Sequence, residues 1–223
     1  MKGKLLPAKI LAGALVSVVE RRQALARALL IPALGYLGFE WLRLNASSDA
    51  IKGLAMILQL MAHTVFAVTT HRILLLGDQS VPSWGLQSWT RRETLFLLQV
   101  LLVSFCLVPL LLLAALPGIG ILLAIGAGLL VVSRLSLVFP AAAVEQPLTI
   151  PEAWALSAPH QFPLLLMVSV VPALLGMLVS FGSTLVPVPF VASLLGLLLT
   201  VFTITMLSLS YSEVRRLEQT DAS

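Results

Sequence analysis

The sequence predicts an all-α polytopic membrane protein with six transmembrane helices. Of its 223 residues, 59% are hydrophobic and only 11% are charged, too few polar side chains to cover a soluble surface. The mean hydropathy is +1.02. Six apolar runs stand between short connections, and each approaches the roughly 20 residues that a spanning helix needs. They leave no room for a soluble catalytic domain of ~100 residues.

Residues 1–27 predict an amphipathic segment in the membrane interface. Its apolar face comprises Leu11, Leu15, Val18, Val19 and Leu25. The first 19 residues also resemble a signal peptide, but Glu20 and two arginines follow where a small-residue cleavage site should lie. We therefore expect this segment to be retained in the protein.

Residues 28–210 are expected to form the membrane domain. The six spans are expected at residues 28–42, 51–70, 95–116, 121–139, 162–181 and 190–210. Uncharged turns at residues 117–120 and 186–189 should join the third span to the fourth and the fifth to the sixth. Residues 211–223 are expected to form a polar cytoplasmic tail that frays.

The basic residues predict the orientation of the chain. With a cytoplasmic N-terminus, the inner side collects twelve of the 14 lysines and arginines, and the outer side only Arg43 and Lys52. Positive side chains concentrate in cytoplasmic connections, so we expect both termini inside. The basic inner rim suits anionic lipid headgroups as partners, and it is not read as a nucleic-acid signal.

Prolines and arginines recur at equivalent places in the spans. The odd spans contain Pro32, Pro109 and Pro172, and the even spans end near Arg72, Arg134 and Arg215. The inner connections 72–86 and 134–156 both run from an arginine through a proline to a tryptophan. The pattern indicates three repeated helical hairpins, each entered through an amphipathic segment on the cytoplasmic side. Prolines within spans and arginines at their inner ends are also frequent without any repeat.

Small residues at four-residue spacing predict close packing of the last three spans, because lipid is as apolar as leucine and helices associate where backbones approach. The ladders are Gly120/Ala124/Gly128, Gly176/Ser180/Thr184 and Ala192/Gly196/Thr200. We expect these spans to form a bundle core near the outer half of the membrane. Enlarging Ala124 or Gly196 should then destabilise the protein.

Charged residues at membrane depth are functional candidates by default. Arg134 is the strongest of them, since it lies shortly before Pro140, where the fourth span is expected to end. It could bind a headgroup or partner, but snorkelling with Glu145 or Glu152 as its ion-pair partner is favoured. The candidate lipid-binding or partner-binding residues are Arg72, Asp78, Arg134, Glu145, Glu152 and Trp154.

Gln59 and His63 lie four residues apart on one face of the second span. They could line a polar path, or His63 could hydrogen-bond across a helix interface, which is the favoured interpretation. One histidine with no second histidine at that depth predicts neither a haem nor a metal site.

No catalytic motif is apparent in the sequence. It has no Ser-His-Asp set, no paired intramembrane carboxylates, no HExxH and no phosphate loop. The single cysteine, Cys106, excludes an intrachain disulfide and a CxxC metal site. We therefore expect no enzymatic activity and no cofactor.

Two stretches carry a resemblance to a known family. Between Arg134 and Ser157 a span ends in arginine, a proline bend follows, and a helix begins again at Pro-Glu-Ala-Trp-Ala-Leu-Ser. The stretch from His71 to Asp78 is consistent with the same pattern. The pattern resembles bacterial six-span inner-membrane proteins related to the membrane domain of glycerophosphoryl diester phosphodiesterases. The resemblance implies a bacterial inner membrane and six helices. No counterpart of the phosphodiesterase catalytic domain is seen, so no such activity is expected.

Two functions remain open at this point. The first is a non-enzymatic scaffold or assembly partner that interacts with lipid, motivated by the basic rim and the small-residue ladders. The second is a small permease or transporter subunit with a polar path near Gln59 and His63. A polar cavity reaching His63 would favour the permease, and a dry bundle would favour the scaffold.

Overall fold

The computed structural model describes residues 5–82, 84, 88–185 and 189–222, and every regular element in that part is helical. Six stretches are long and apolar enough to cross a membrane, which confirms the predicted number of spans and fits a multi-pass membrane protein. These stretches are Arg22–Asn45, Asp49–Leu76, Arg91–Ala114, Gly120–Ala143, Ile150–Ser183 and Val191–Thr220.

Eleven α-helices make up these stretches and the segment before them, within the part of the chain that the structure describes. They are α1 (Pro7–Glu20), α2 (Arg22–Asn45), α3 (Asp49–Leu76), α4 (Arg91–Leu107), α5 (Leu110–Ala114), α6 (Gly120–Leu135), α7 (Val138–Ala143), α8 (Ile150–Ser157), α9 (Gln161–Leu164), α10 (Val171–Leu185) and α11 (Pro189–Ala222). Short 3₁₀ turns cover Asp78–Ser80 and Ala158–His160, and a π-helical segment covers Leu165–Val170.

The three prolines of the odd spans have different local consequences. Pro32 lies inside α2 without ending that helix. Pro109 separates α4 from α5, where the Val108 amide donates to the Phe105 carbonyl in a 3₁₀-type bond. Pro172 lies in the first turn of α10, directly after the π segment. Near Pro109 the helix splits and near Pro172 it widens, which accommodates the missing amide donor at these two sites.

The hydrophobic core lies at one end of the bundle, here named the packed end. It consists of residues 64–73 of α3, 133–143 of α6 and α7, and 201–214 of α11, together with α1 and the π segment packed against them. At its centre Ala142, Val68 and Met206 are fully buried. Small alanines on α7 allow α3 and α4 to approach it closely.

The opposite ends of the spans form three helical hairpins, α2–α3, α5–α6 and α10–α11. Their apolar side chains are exposed near the hairpin tips, and Leu112 on α5 is 75% exposed. Other exposed apolar residues there include Leu44, Leu54, Leu122, Leu178, Phe181 and Leu194. Lipid is the natural contact for such surfaces in a membrane.

The last three spans do contact one another, through α10 with α11 and through α6 with the π segment, but the core lies at the packed end and not near the outer half as predicted. A Cβ added to Gly128 of α6 would lie 3.8 Å from Leu110 Cδ1 of α5, and one added to Gly176 of α10 would lie 3.9 Å from Leu199 Cδ2 of α11. Ser180 is exposed and nothing lies within 4 Å of a Cβ built on Gly196. The ladders, which include the half-buried Ala124 and Ala192, pack within hairpins, because sequence spacing does not specify which neighbour a small residue meets.

Two expected boundaries also differ from the structure. The fourth span does not end at Pro140, which lies inside α7. The helix is instead interrupted by a turn at Ser136 and Leu137, between α6 and α7. The fifth candidate span begins at Ile150 rather than residue 162. The predicted turn at residues 186–189 lies largely outside the described residues.

The expectation that the chain frays after residue 210 is wrong as well. Helix α11 continues to Ala222, and Tyr211 and Val214 are buried in the core. They contact the cluster that contains Ile10 and Ala14 of α1. Helix α1 thus packs against the end of α11, while Leu15 and Val19, on its predicted apolar face, remain exposed.

Gly120 and Gly196 provide a matched test of this packing. A Cβ on Gly120 would collide with the Leu113 carbonyl oxygen, so Gly120→Ala should cost about 1–3 kcal/mol. Gly196→Ala meets open space and should gain about 0.5–1 kcal/mol from the helix backbone. Circular-dichroism melts in one detergent measure both variants. Equal melting temperatures for the two would contradict the packing described.

Candidate functional site at the packed end

Helix α7 ends in a C-terminal cap that is formed by backbone hydrogen bonds. The Glu145 amide donates to the Ala142 carbonyl over 3.1 Å, and the Gln146 amide donates to the Ala141 carbonyl over 2.9 Å. This is the bonding pattern of a Schellman cap. Glu145 has the left-handed φ of +62° that the cap needs and that glycine usually supplies.

Arg72 on α3 holds this cap in place. Its Nη1 donates to the Ala143 carbonyl oxygen over 3.1 Å and to Glu145 Oε1 over 3.2 Å. Its Nε donates to the Ser80 carbonyl oxygen over 3.4 Å. The Arg72 side chain is only 12% exposed. One guanidinium therefore ties α3, the turn after it and the end of α7 together.

Asp78 pairs with Arg21, which lies between α1 and α2. Arg21 Nη1 is 3.3 Å from Asp78 Oδ1, and it also donates to the carbonyl oxygen of Ile73 in the last turn of α3. The sequence suggested Asp78 as a candidate but gave no partner for it. The pair fixes α1 and α2 against the end of α3.

Arg134 does not pair with Glu145 or Glu152, so the predicted ion pair is wrong. Its guanidinium carbon lies 4.7 Å from the centroid of the Trp154 ring, and its Nη1 donates to the Trp154 carbonyl oxygen over 3.3 Å. The Ala158 amide donates to Ala155 rather than to this carbonyl, which also accepts from the Ser157 hydroxyl over 3.1 Å. Arg134 thus joins α6 to α8 through a cation–π contact and a helix-end hydrogen bond.

Glu152 closes the start of α8 in a capping box. Its carboxylate accepts from the Thr149 amide at 2.7 Å and from the Thr149 hydroxyl at 2.8 Å. The same motif opens α4, where the buried Glu93 accepts from the Thr90 amide at 2.8 Å. Both boxes follow the Thr-x-x-Glu spacing, a signal that the sequence contained and that our sequence analysis missed.

A groove of about 850 Å³ opens between α8 and the last turns of α11. Glu152, His160, Arg215 and Glu218 supply its charged and titratable side chains. Arg215 Nη1 lies 3.0 Å from Glu218 Oε2, so these two charges compensate each other within the groove. The groove is a feature that the sequence did not predict, because it forms between segments about 60 residues apart.

The buried histidine of the fold is His71 rather than His63. Its Nδ1 lies 2.7 Å from the Ser208 hydroxyl of α11, and its ring lies 6.0 Å from the Phe96 ring. Ser208 donates its own proton to the Ile204 carbonyl oxygen, so the histidine donates to the serine. Sequence analysis gave His71 no partner, since the contact spans 137 residues.

Gln59 and His63 lie away from the packed end, between α2 and α3. The His63 ring is 6.0 Å from the Tyr36 ring of α2, and Gln59 lies beside the Tyr36 side chain. His63 and Gln59 are both half-buried. Neither residue lines the groove between α8 and α11.

No group of three or more histidine, cysteine, aspartate or glutamate side chains with metal-binding geometry occurs among the described residues. Comparisons with protein-family models, curated proteins and solved structures find no match for this chain. The site therefore has to be interpreted from its own residues.

Arg72 and Arg216 offer a matched pair for testing the packed end. Arg72→Gln leaves the Ala143 carbonyl and Glu145 without their partner and should cost about 2–3 kcal/mol. Arg216→Gln breaks a pair whose arginine is 63% exposed, and such surface pairs contribute about 0–1 kcal/mol. Thermal melts in detergent report both changes. A smaller loss for Arg72→Gln than for Arg216→Gln would refute the role given to Arg72.

Proposed function

We propose that this chain is a non-enzymatic protein of the bacterial inner membrane that acts as a scaffold or assembly partner and interacts with lipid. The partners in this proposal are the bilayer, with its anionic headgroups on the inner face, and a second membrane protein. The sequence resemblance to six-span proteins related to the phosphodiesterase membrane domain is part of the same proposal.

The observation that carries the proposal is the uneven packing of the bundle. The spans are joined at the packed end, while the three hairpins expose apolar side chains toward their tips. Gly126 and Gly196 have open space beside them. Small exposed residues let another helix approach closely, and exposed leucines suit acyl chains. Both properties support lateral association within the membrane.

The distribution of charge supports an inner-membrane orientation with cytoplasmic termini. Of the six described ion pairs, five lie at the packed end and only Lys52–Asp49 lies at a hairpin tip. Two Thr-x-x-Glu capping boxes, at Thr90 and Thr149, support equivalent starts for two of the three proposed repeats. The exposed Leu15 and Val19 support an α1 that lies in the interface.

Cysteine accessibility tests the orientation. In a Cys106→Ser background, Ile119→Cys places an exposed thiol at a hairpin tip, and Gln219→Cys places one near the end of α11. A membrane-impermeant maleimide on intact cells should label position 119 and should reach position 219 only after lysis. The reverse pattern would contradict cytoplasmic termini.

Extraction into native-membrane nanodiscs, followed by mass spectrometry, tests the function. We expect phospholipid enriched over the bulk membrane or a membrane protein in fixed stoichiometry. Gly196→Leu should reduce recovery of a partner protein without lowering the melting temperature, since its surroundings are open. A monodisperse protein that carries a polar small molecule, without enriched lipid or a partner, would overturn the scaffold proposal.

A permease is the second candidate, and the cluster of Tyr36, Gln59 and His63 favours it. These side chains place polar groups between α2 and α3 at membrane depth. If a polar small molecule is recovered, Gln59→Leu and His63→Leu should abolish its retention. Undiminished retention in both variants would exclude a path through this cluster.

A further inference from the structure

The arginines of the packed end differ in how their charge is compensated. Five of them lie within ion-pair distance of a carboxylate: Arg21 with Asp78, Arg72 with Glu145, Arg92 with Glu93, Arg215 with Glu218, and Arg216 with Glu213. Arg134 has no such partner among the described side chains; Arg22, Arg27 and Arg91 have none either, but only Arg134 also packs on a tryptophan ring. An uncompensated charge at the end of a spanning helix is costly unless an anion is supplied from outside the fold.

The Arg134 guanidinium is held in position, but not all of its N–H donors have an acceptor. One of its faces lies over the Trp154 ring, and its Nη1 donates to the Trp154 carbonyl oxygen. The Nε–H is buried and has no acceptor in the described structure. A guanidinium carries five N–H donors, and with the Nε–H buried the two Nη groups are the donors that a phosphate can reach in bidentate geometry.

We propose that Arg134 and Trp154 form a binding site for the phosphate of a phosphate ester, supplied by an anionic phospholipid headgroup. The site deepens the proposed function, on which it rests, by naming the lipid class and the residues that select it. Trp154 is 39% exposed beside the arginine, as expected for a tryptophan at headgroup level.

The surface next to the site favours a lipid over a soluble phosphate ester. Leu123 lies three helical turns before Arg134, on the same face of α6, and is 46% exposed. Eleven residues of helix cover about 17 Å, close to half the ~30 Å thickness of the hydrocarbon layer. A headgroup at Arg134 would thus have an apolar helix face for its acyl chain.

The groove between α8 and the last turns of α11 is a weaker candidate for the same ligand. Its arginine, Arg215, is already neutralised by Glu218, and Glu152 adds a further negative charge. A phosphate placed there would have to displace an existing ion pair. Arg134 needs no such displacement.

Lipid selectivity of the full-length protein tests the site. The wild type, Arg134→Gln and the control Arg216→Gln are reconstituted in nanodiscs of equal phosphatidylglycerol and phosphatidylethanolamine, then released into detergent for native mass spectrometry. Both lipids carry the phosphate, but the ammonium of phosphatidylethanolamine offsets its charge and repels the arginine. Losing the charge of Arg134 should therefore lower the ratio of retained phosphatidylglycerol to phosphatidylethanolamine about tenfold in Arg134→Gln. Arg216→Gln should keep the wild-type ratio. An unchanged ratio in Arg134→Gln overturns the site.

A purely architectural Arg134 would alter stability but not this ratio. If Arg134→Gln does not yield folded protein, Arg134→Lys and Trp154→Leu are measured instead. Lysine keeps the charge but loses the fork, and leucine removes the cation–π contact, so both should reduce the ratio several-fold. Wild-type ratios in both variants also overturn the proposal.

Inorganic phosphate distinguishes the two sources of the ligand. Binding of millimolar phosphate that depends on Arg134, together with a phosphatidylglycerol ratio that does not, would keep the phosphate site and overturn the lipid source. Failure of the site alone is also distinguishable from failure of the proposed function. Wild-type protein that retains lipid independently of Arg134 refutes only the site, whereas recovery of neither lipid nor partner refutes both.

Discussion

The fold depends on arginines that donate to the ends of neighbouring helices at the packed end. The carbonyls in the last turn of a helix have no partner within that helix and take donors from elsewhere. Arg21 donates to Ile73 and Arg72 donates to Ala143. Arg134 likewise donates to the carbonyl of Trp154. Each of these side chains links its own helix to the end of a different one, so the packed end is joined through charged bonds as well as apolar contacts.

The number of helices was predictable because hydropathy is a local property. A run of about 20 apolar residues specifies a span whatever its neighbours are. The end of the fourth span was wrong because Pro140 was taken as a stop, although proline is tolerated in the first turn of α7. Tyr211 and Val214 looked like a tail because their partners lie on α1, about 200 residues away.

The candidate residues were found, but their partners were not. Charge at membrane depth identified Arg72, Asp78 and Arg134, whereas spacing alone suggested Glu145 and Glu152 as partners of Arg134. In the structure Glu145 forms an ion pair with Arg72, and Glu152 accepts a hydrogen bond from the Thr149 amide. Long-range pairing depends on which helix ends meet, and one sequence does not contain that information. The Thr-x-x-Glu boxes, by contrast, are local and were available from the sequence.

Because the three hairpins are joined at one end, the bundle can respond in a particular way to bilayers of different thickness. A tightly packed bundle can match a thinner bilayer only by deforming the bilayer or by tilting as a whole. Here the His71–Ser208 and Arg72–Glu145 contacts lie at the packed end, away from the exposed apolar tips. We therefore expect hydrophobic mismatch to be taken up mainly at the tips, with little effect on the core geometry.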